Sequence, residues 1–223
     1  RSTLFPYTTL FRSRTGPLVD RQAKVALDTL VVQLGPPVTG TLAAVTLTTA
    51  PNADLEVHVG VYEQLAGGAG PQWRAGVWLS SFIAATTLGK DLTDFTFTAD
   101  AQGSVDGASA SGLMTAGFLA AITGVEIDPE ATMTGIINPD GTIGPVAGIP
   151  QKFAAAIERG KTRLGYPIGM RHAVDVNTGK KVDLVELATA HGATATEISD
   201  VYDAYKLRSE EHTSELQSQN RIS

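Results

Sequence analysis

The chain of 223 residues contains no cysteine. Disulfide staples and thiolate chemistry are excluded, while the compartment stays open. Basic residues are also scarce: 17 Lys and Arg stand against 23 Asp and Glu, a formal charge of −6. A nucleic-acid surface needs clustered Lys and Arg, so this balance argues against one. No stretch approaches the roughly 20 consecutive apolar residues of a membrane span. His58, His172 and His191 have no metal-ligand spacing, and His191 before Gly192 reads as a helix-end residue. Gly160-Lys161-Thr162 resembles the end of a phosphate-binding loop. Ala155 stands where its first glycine belongs, however, and it follows a helix instead of joining a strand to one. The expectation is a chain with no metal, no cofactor and no nucleotide site. No internal repeat is found.

The ends differ from the middle. Residues 1–13 (RSTLFPYTTLFRS) and 208–223 (RSEEHTSELQS, then QNRIS) have no periodicity that continues inward. Both read as in-frame translations of the adapters used in short-read DNA sequencing, and such scars are set aside before fold reasoning. The expected domain is then residues 14–207, truncated at both ends and long enough for one good core. Any signal peptide, membrane anchor or further module would lie upstream of Arg14.

Within the domain, Leu42–Thr49 is rich in β-branched residues. Asp54–Tyr62 alternates with period two, placing Leu55, Val57, Val59 and Val61 on one face. The two are expected to form a hairpin through Pro51-Asn52-Ala53. After the Gly-rich break from Ala66 to Pro71, Trp73–Leu88 has apolar residues at helical spacing (Val77, Trp78, Phe82, Ala85) and stops at Gly89. Trp73 and Trp78 are expected in the core.

Phe95–Ala99 predicts a strand, Asp100–Gly107 a loop, and Ser109–Thr123 an apolar helix closed by Gly124. Ala131–Ile137 predicts a strand leading to the turn Asn138-Pro139-Asp140-Gly141. Pro150 opens a helix to Arg159, with Gly160 after it. Arg163–Ile168 and Ala195–Ile198 predict strands, Val182–Ala190 and Asp200–Leu207 helices. The fold class is α/β (mixed α+β), an N-terminal hairpin followed by alternating strands and helices.

Two residues carry the chemistry. A serine hydroxyl is a poor nucleophile until a base removes its proton. A lysine can be that base only if its pKa falls from about 10.4 toward neutrality, and burial supplies such a fall. Lys152 lies between Pro150 and the apolar run Phe153–Ile157. Ser109 stands where a polar loop meets a helix, beside N–H groups without internal partners. Gly107 and Ala108 are small enough to admit a substrate carbonyl. The bland alternatives are a solvated lysine and helix capping by Asp106, Ser109 or Ser111. Ser111 competes with Ser109 as nucleophile.

From about Phe95 to Ser199 the chain resembles the proteolytic domain of Lon-type serine peptidases, most of all their stand-alone, ATPase-free members. Asp106-Gly107-Ala108-Ser109-Ala110-Ser111 mixes the family's Asp-Gly-Pro-Ser-Ala-Gly and Ser-Ala-Ser forms. Lys152 follows Ser109 by forty-three residues, after a Gly-x-x-x-Lys step, as in the family. Met133–Val146 matches the block between them. Ala108 replaces a proline of the family motif, and Ala147 the first of two glycines.

The resemblance implies the Lon proteolytic-domain fold and a Ser–Lys dyad of Ser109 and Lys152. It also implies that Thr134 hydrogen-bonds the lysine amine and that Asp106 shapes the turn before the serine. The implied activity is cleavage of unfolded polypeptide without ATP in this chain. Ring assembly, and export or membrane anchoring in preference to a cytoplasmic setting, are further expectations. Two other classes remain open: an inactive peptide-binding module of the same fold, and the peptidase part of a larger ATP-dependent protease whose ATPase module was lost by truncation.

Overall fold

A computed structural model describes Leu18 and residues 20–64 and 68–209. The adapter-like stretch 1–13 and all of the stretch 208–223 except Arg208 and Ser209, which are buried at the end of the last helix, lie outside the described residues, as do Ala66 and Gly67 of the Gly-rich break. The architecture is mixed α/β. Strands β1 (Ala23–Gln33) and β2 (Thr39–Pro51) pair antiparallel from Ala23↔Thr49 to Gln33↔Thr39. Strand β4 (Phe95–Ala101) pairs antiparallel with the other edge of β2, and β3 (His58–Glu63) lies parallel to β4. The sheet order is β1-β2-β4-β3. In β4, Phe95, Phe97, Ala99 and Ala101 are buried and the residues between them are not, the period-two signature of a half-covered sheet.

The N-terminal hairpin exists, but between other partners. The sequence reading assigned no element to Ala23–Gln33 and paired Leu42–Thr49 with Asp54–Tyr62. The stretch after Pro51 does not double back. Asn52 donates its side-chain amide to Glu56 O and Thr93 O, and its N–H to Asp94 O, tying this loop to the short 3-10 turn Leu92–Asp94. Leu55 has φ 62 and is exposed, as is Val57, while Val59 and Val61 pack against the core.

A parallel β3–β4 pair needs a crossover, and helix α1 (Pro71–Thr87) supplies it. It ends where the sequence places its end, with Gly89 at φ 65. Trp73 and Val77 are buried, but Trp78 and Phe82 are nearly half exposed, against expectation. The reason is the small face that α1 turns to helix α2 (Ser111–Thr123). A Cβ on Gly76 would sit 3.4 Å from Ser111 Cβ, and Ser80 Oγ donates to Ser111 O at 2.8 Å. Such close approach directs the large rings outward. Every residue of α2 is buried, and the helix closes at Gly124 with φ 71. It begins at Ser111, two residues later than expected, which leaves Ser109 in the turn before it.

The expected strand 131–137 is split into β5 (Ala131–Met133) and β6 (Ile136–Ile137). The break is a close approach: a Cβ on Gly135 would meet Ile143 Cγ2 at 2.3 Å. Strand β6 pairs with β7 (Ile143–Gly144) around the Asn138–Gly141 turn, where Gly141 has φ 85. Helix α3 (Ile149–Glu158) follows, then β8 (Arg163–Pro167), β9 (His172–Val174), β10 (Lys181–Asp183), α4 (Leu184–Thr189), β11 (Thr194–Ile198) and α5 (Val201–Arg208).

Helix α4 starts two residues later than read, because Asp183 caps it by accepting from Val185 N and Glu186 N. Strands β5, β8 and β11 form a parallel sheet. One core surrounds α2. A second, with Leu30, Phe153, Leu164 and Leu184, lies beneath α3. The dyad candidates stand at the start of one core helix each. Among the described residues no helix is long and apolar enough to cross a membrane.

Candidate active site

The loop after β4 is held to α1 by Asp106. Its carboxylate accepts the N–H of Gln72, one of the orphan donors of that helix, at 3.2 Å, and the N–H of Gly107 at 2.7 Å. Gly107, at φ 90, then reverses the chain toward Ser109. Asp106 therefore shapes the turn without capping α2. Neither does a serine: the N-cap of α2 is Ala110, without a side-chain bond.

Lys152 sits in the first turn of α3, its N–H donated to Gly148 O at 3.0 Å. Its side chain runs inward and the residue is 2% exposed. The Nζ atom lies 2.9 Å from Ser109 Oγ and 2.9 Å from Thr134 Oγ1. Thr134 Oγ1 also donates to Ser109 O at 3.2 Å, and Gly135 N donates to the same carbonyl at 2.7 Å. The split between β5 and β6 thus places the Thr134 hydroxyl against both the Lys152 amine and the Ser109 carbonyl. Ser109 is half-buried.

Among the described residues no carboxylate lies within ion-pair distance of Lys152. Burial among apolar groups lowers its pKa to about 8, because the ammonium loses water and gains no counter-charge. A group poised there exchanges a proton near neutral pH, and its neutral form has a lone pair to accept one.

The competing serine is differently placed. Ser111 is 1% exposed. Its Oγ donates to Ala108 O at 2.7 Å and accepts the N–H of Ile137 at 2.9 Å. Of these two serines, Ser109 is the one that meets Lys152. Among the described residues the N–H groups of Ala108, Ser109 and Ala110 have no hydrogen-bond partner. Residue type and setting pointed to Ser109 and Lys152, whereas Thr134 and Asp106 came from the family resemblance alone. The clamp by Ser111 was missed, because a serine inside a helix start looks like any cap.

Other sequence candidates do different work. Lys161 donates to Asp28 Oδ2 at 2.6 Å and to Pro129 O at 2.7 Å. His191 Nδ1 lies 2.9 Å from Leu187 O at the end of α4. His58, read as having no metal-ligand spacing, gathers with Asp54 and Glu56, their ligating atoms within 4.8 Å of one another. All three are exposed, and His58 Nε2 pairs with Asp54 at 2.8 Å.

Residues 99–178 match the family model of the Lon protease C-terminal proteolytic domain. That stretch contains Asp106, Ser109, Thr134 and Lys152. The chain is 36% identical over 63 residues to the archaeal Lon protease of Archaeoglobus fulgidus, a stretch of 28% of this chain and 10% of that relative. It is 30% identical over 103 residues to Lon protease 2 of Bacillus subtilis, 45% of this chain and 18% of that relative. The matched stretches thus span less than a fifth of either relative.

Proposed function

Starting from the Lon-type proteolytic domain that this chain carries, we propose that it is a serine endopeptidase working through a dyad of Ser109 and Lys152. The observation that carries the reading is the 2.9 Å approach of a buried lysine amine to the Ser109 hydroxyl. Neutral Lys152 takes the hydroxyl proton as Oγ attacks the scissile carbonyl. The tetrahedral oxyanion is met by backbone N–H groups near Ser109. Its collapse breaks the C–N bond, and Lys152 returns the proton to the leaving amine. Water, deprotonated by the same lysine, then attacks the acyl ester and releases Ser109. Thr134 holds the amine in line. No metal or cofactor enters any step.

The substrate is unfolded or flexible polypeptide, and residues 14–207 are the peptidase domain. Cleavage in this chain proceeds without ATP. A second reading is favoured by the much greater length of the relatives: the domain is the proteolytic part of a larger ATP-dependent protease.

The test is cleavage of an unstructured fluorogenic polypeptide by the full chain, beside Ser109→Ala and Lys152→Ala. Activity lost in both variants with folding intact is the expected result. Activity surviving Ser109→Ala would sink the dyad. An inert parent that still binds peptide would favour a binding module. ATP-stimulated cleavage on joining a relative's upstream region would favour the larger machine.

A further inference from the structure

Peptide units are planar and trans, so the C=O of one residue and the N–H of the next point in opposite directions. Whatever pins the Ala108 carbonyl therefore aims the Ser109 N–H. That carbonyl accepts two hydrogen bonds, from Ser111 N at 2.9 Å and Ser111 Oγ at 2.7 Å. The first is an ordinary backbone bond of a helix start. The second depends on the side chain, and its oxygen is itself fixed by the N–H of Ile137 at 2.9 Å. The Ser109 carbonyl is held likewise by Gly135 N and Thr134 Oγ1. Ser109 is thus strung between two pinned peptides, and its N–H points opposite to the pinned Ala108 carbonyl.

We infer that Ser111 is a positioning residue whose hydroxyl locks the Ala108–Ser109 peptide against β6, so that the Ser109 N–H is preset to receive the oxyanion. The inference rests on the peptidase reading above and deepens it. Ser111 touches no substrate. It acts through the peptide it holds, and its hydroxyl is spoken for at both ends, which removes it as a nucleophile. An oxyanion donor is effective because it does not have to reorient as charge develops. Loosening the peptide leaves the ground state nearly unchanged and weakens the transition state. Complete loss of one such donor costs about 10²–10³ in kcat, so loss of one of its two anchors is expected to cost about tenfold.

The experiment compares the full chain with Ser111→Ala, with Ser111→Cys (a similar shape with a weak donor, should the alanine variant fold poorly) and with Thr123→Val. Thr123 is a control at the far end of the same helix, where it donates to Leu119 O and meets Tyr205 OH. The readouts are kcat, KM, the pH profile and affinity for a peptide aldehyde that forms a tetrahedral adduct on the nucleophile. For both Ser111 variants we expect kcat and aldehyde affinity to fall together by about tenfold, with KM within about twofold and the acid limb of the pH profile unmoved. Thr123→Val keeps parental kcat.

Parental kcat and aldehyde affinity in the Ser111 variants, with lowered Tm alone, would overturn the inference and leave the peptidase reading intact. Abolished activity, with the parent's adduct mapped to Ser111, would overturn both the inference and the choice of Ser109. A parent that forms no adduct and cleaves nothing would remove the peptidase reading and this inference with it.

Discussion

Two lysines flank helix α3, both nearly buried, and they do opposite things. Lys152 at its start is 2% exposed, and Lys161 just beyond its end is 9% exposed. Lys161 meets the Asp28 carboxylate and a backbone carbonyl, so its charge is matched where it lies. Lys152 meets two hydroxyls and, among the described residues, no carboxylate, and its pKa drops to about 8. Burial alone does not make a base. Burial that withholds a counter-charge does, because the ammonium then has less to lose by giving up its proton. The one region is a bridge between β1 and the 128–130 loop; the other has the makings of a catalytic centre.

The contrast can be broken most severely by exchange of function. Lys152→Ala is expected to lower kcat by about a thousandfold or more, since base and nucleophile act as a unit. Lys161→Met should leave kcat within about threefold while lowering stability by about 1–2 kcal/mol, because Asp28 and Pro129 O lose their partner. Steady-state kinetics beside chemical denaturation separates the two effects. Equal losses of activity would mean that the two sites are not distinct.

Lys152 can also be turned into a second Lys161. Thr134→Asp places a carboxylate beside the amine, favours the ammonium and should move the acid limb of the kcat profile to higher pH. Activity at pH 7.5 is then expected to fall by about tenfold or more. An unmoved limb would show that another group sets it. In the parent, kcat should fall about tenfold per pH unit below about 8, as Lys152 becomes protonated.

The smallest effect concerns stability. The folded-state pKa of Lys152 lies below its ordinary value, so the folded protein binds this proton more weakly than the unfolded chain does. The resulting penalty is present in full below about pH 8 and is relieved as pH rises toward about 10.5. Lys152→Met should therefore stabilise the fold by about 1–3 kcal/mol at pH 7 and by little at pH 11. Denaturation midpoints at the two pH values check the sign.

Much of the half that carries Ser109 and Lys152 was legible in the sequence, because its signals are local. Gly124 and Gly160 stand just past helix ends with positive φ, and Pro150 lies in the first turn of α3, two residues before Lys152. Between Ser109 and Lys152 the chain runs through α2, β5, β6 and β7 before α3 begins.

The N-terminal half was read less well, because its partners lie far away along the chain. Nothing within Asp54–Tyr62 reveals that β3 pairs parallel with β4 while β2 turns to β1. Trp78 and Phe82 follow helical spacing and still face outward, since Gly76 and Ser80 bring α1 close to α2. Ser111 is the instructive miss inside the site. Its residue type was noted, yet its role depends on Ile137 N, twenty-six positions away.

The most direct measurement is the pH dependence of covalent labelling by a serine-reactive fluorophosphonate, with the modified peptide identified by mass spectrometry. The account predicts one label on Ser109, with a rate that rises through an apparent pKa of about 8 and collapses in Lys152→Ala. Labelling at Ser111, or at Ser109 with a rate indifferent to Lys152, would contradict it.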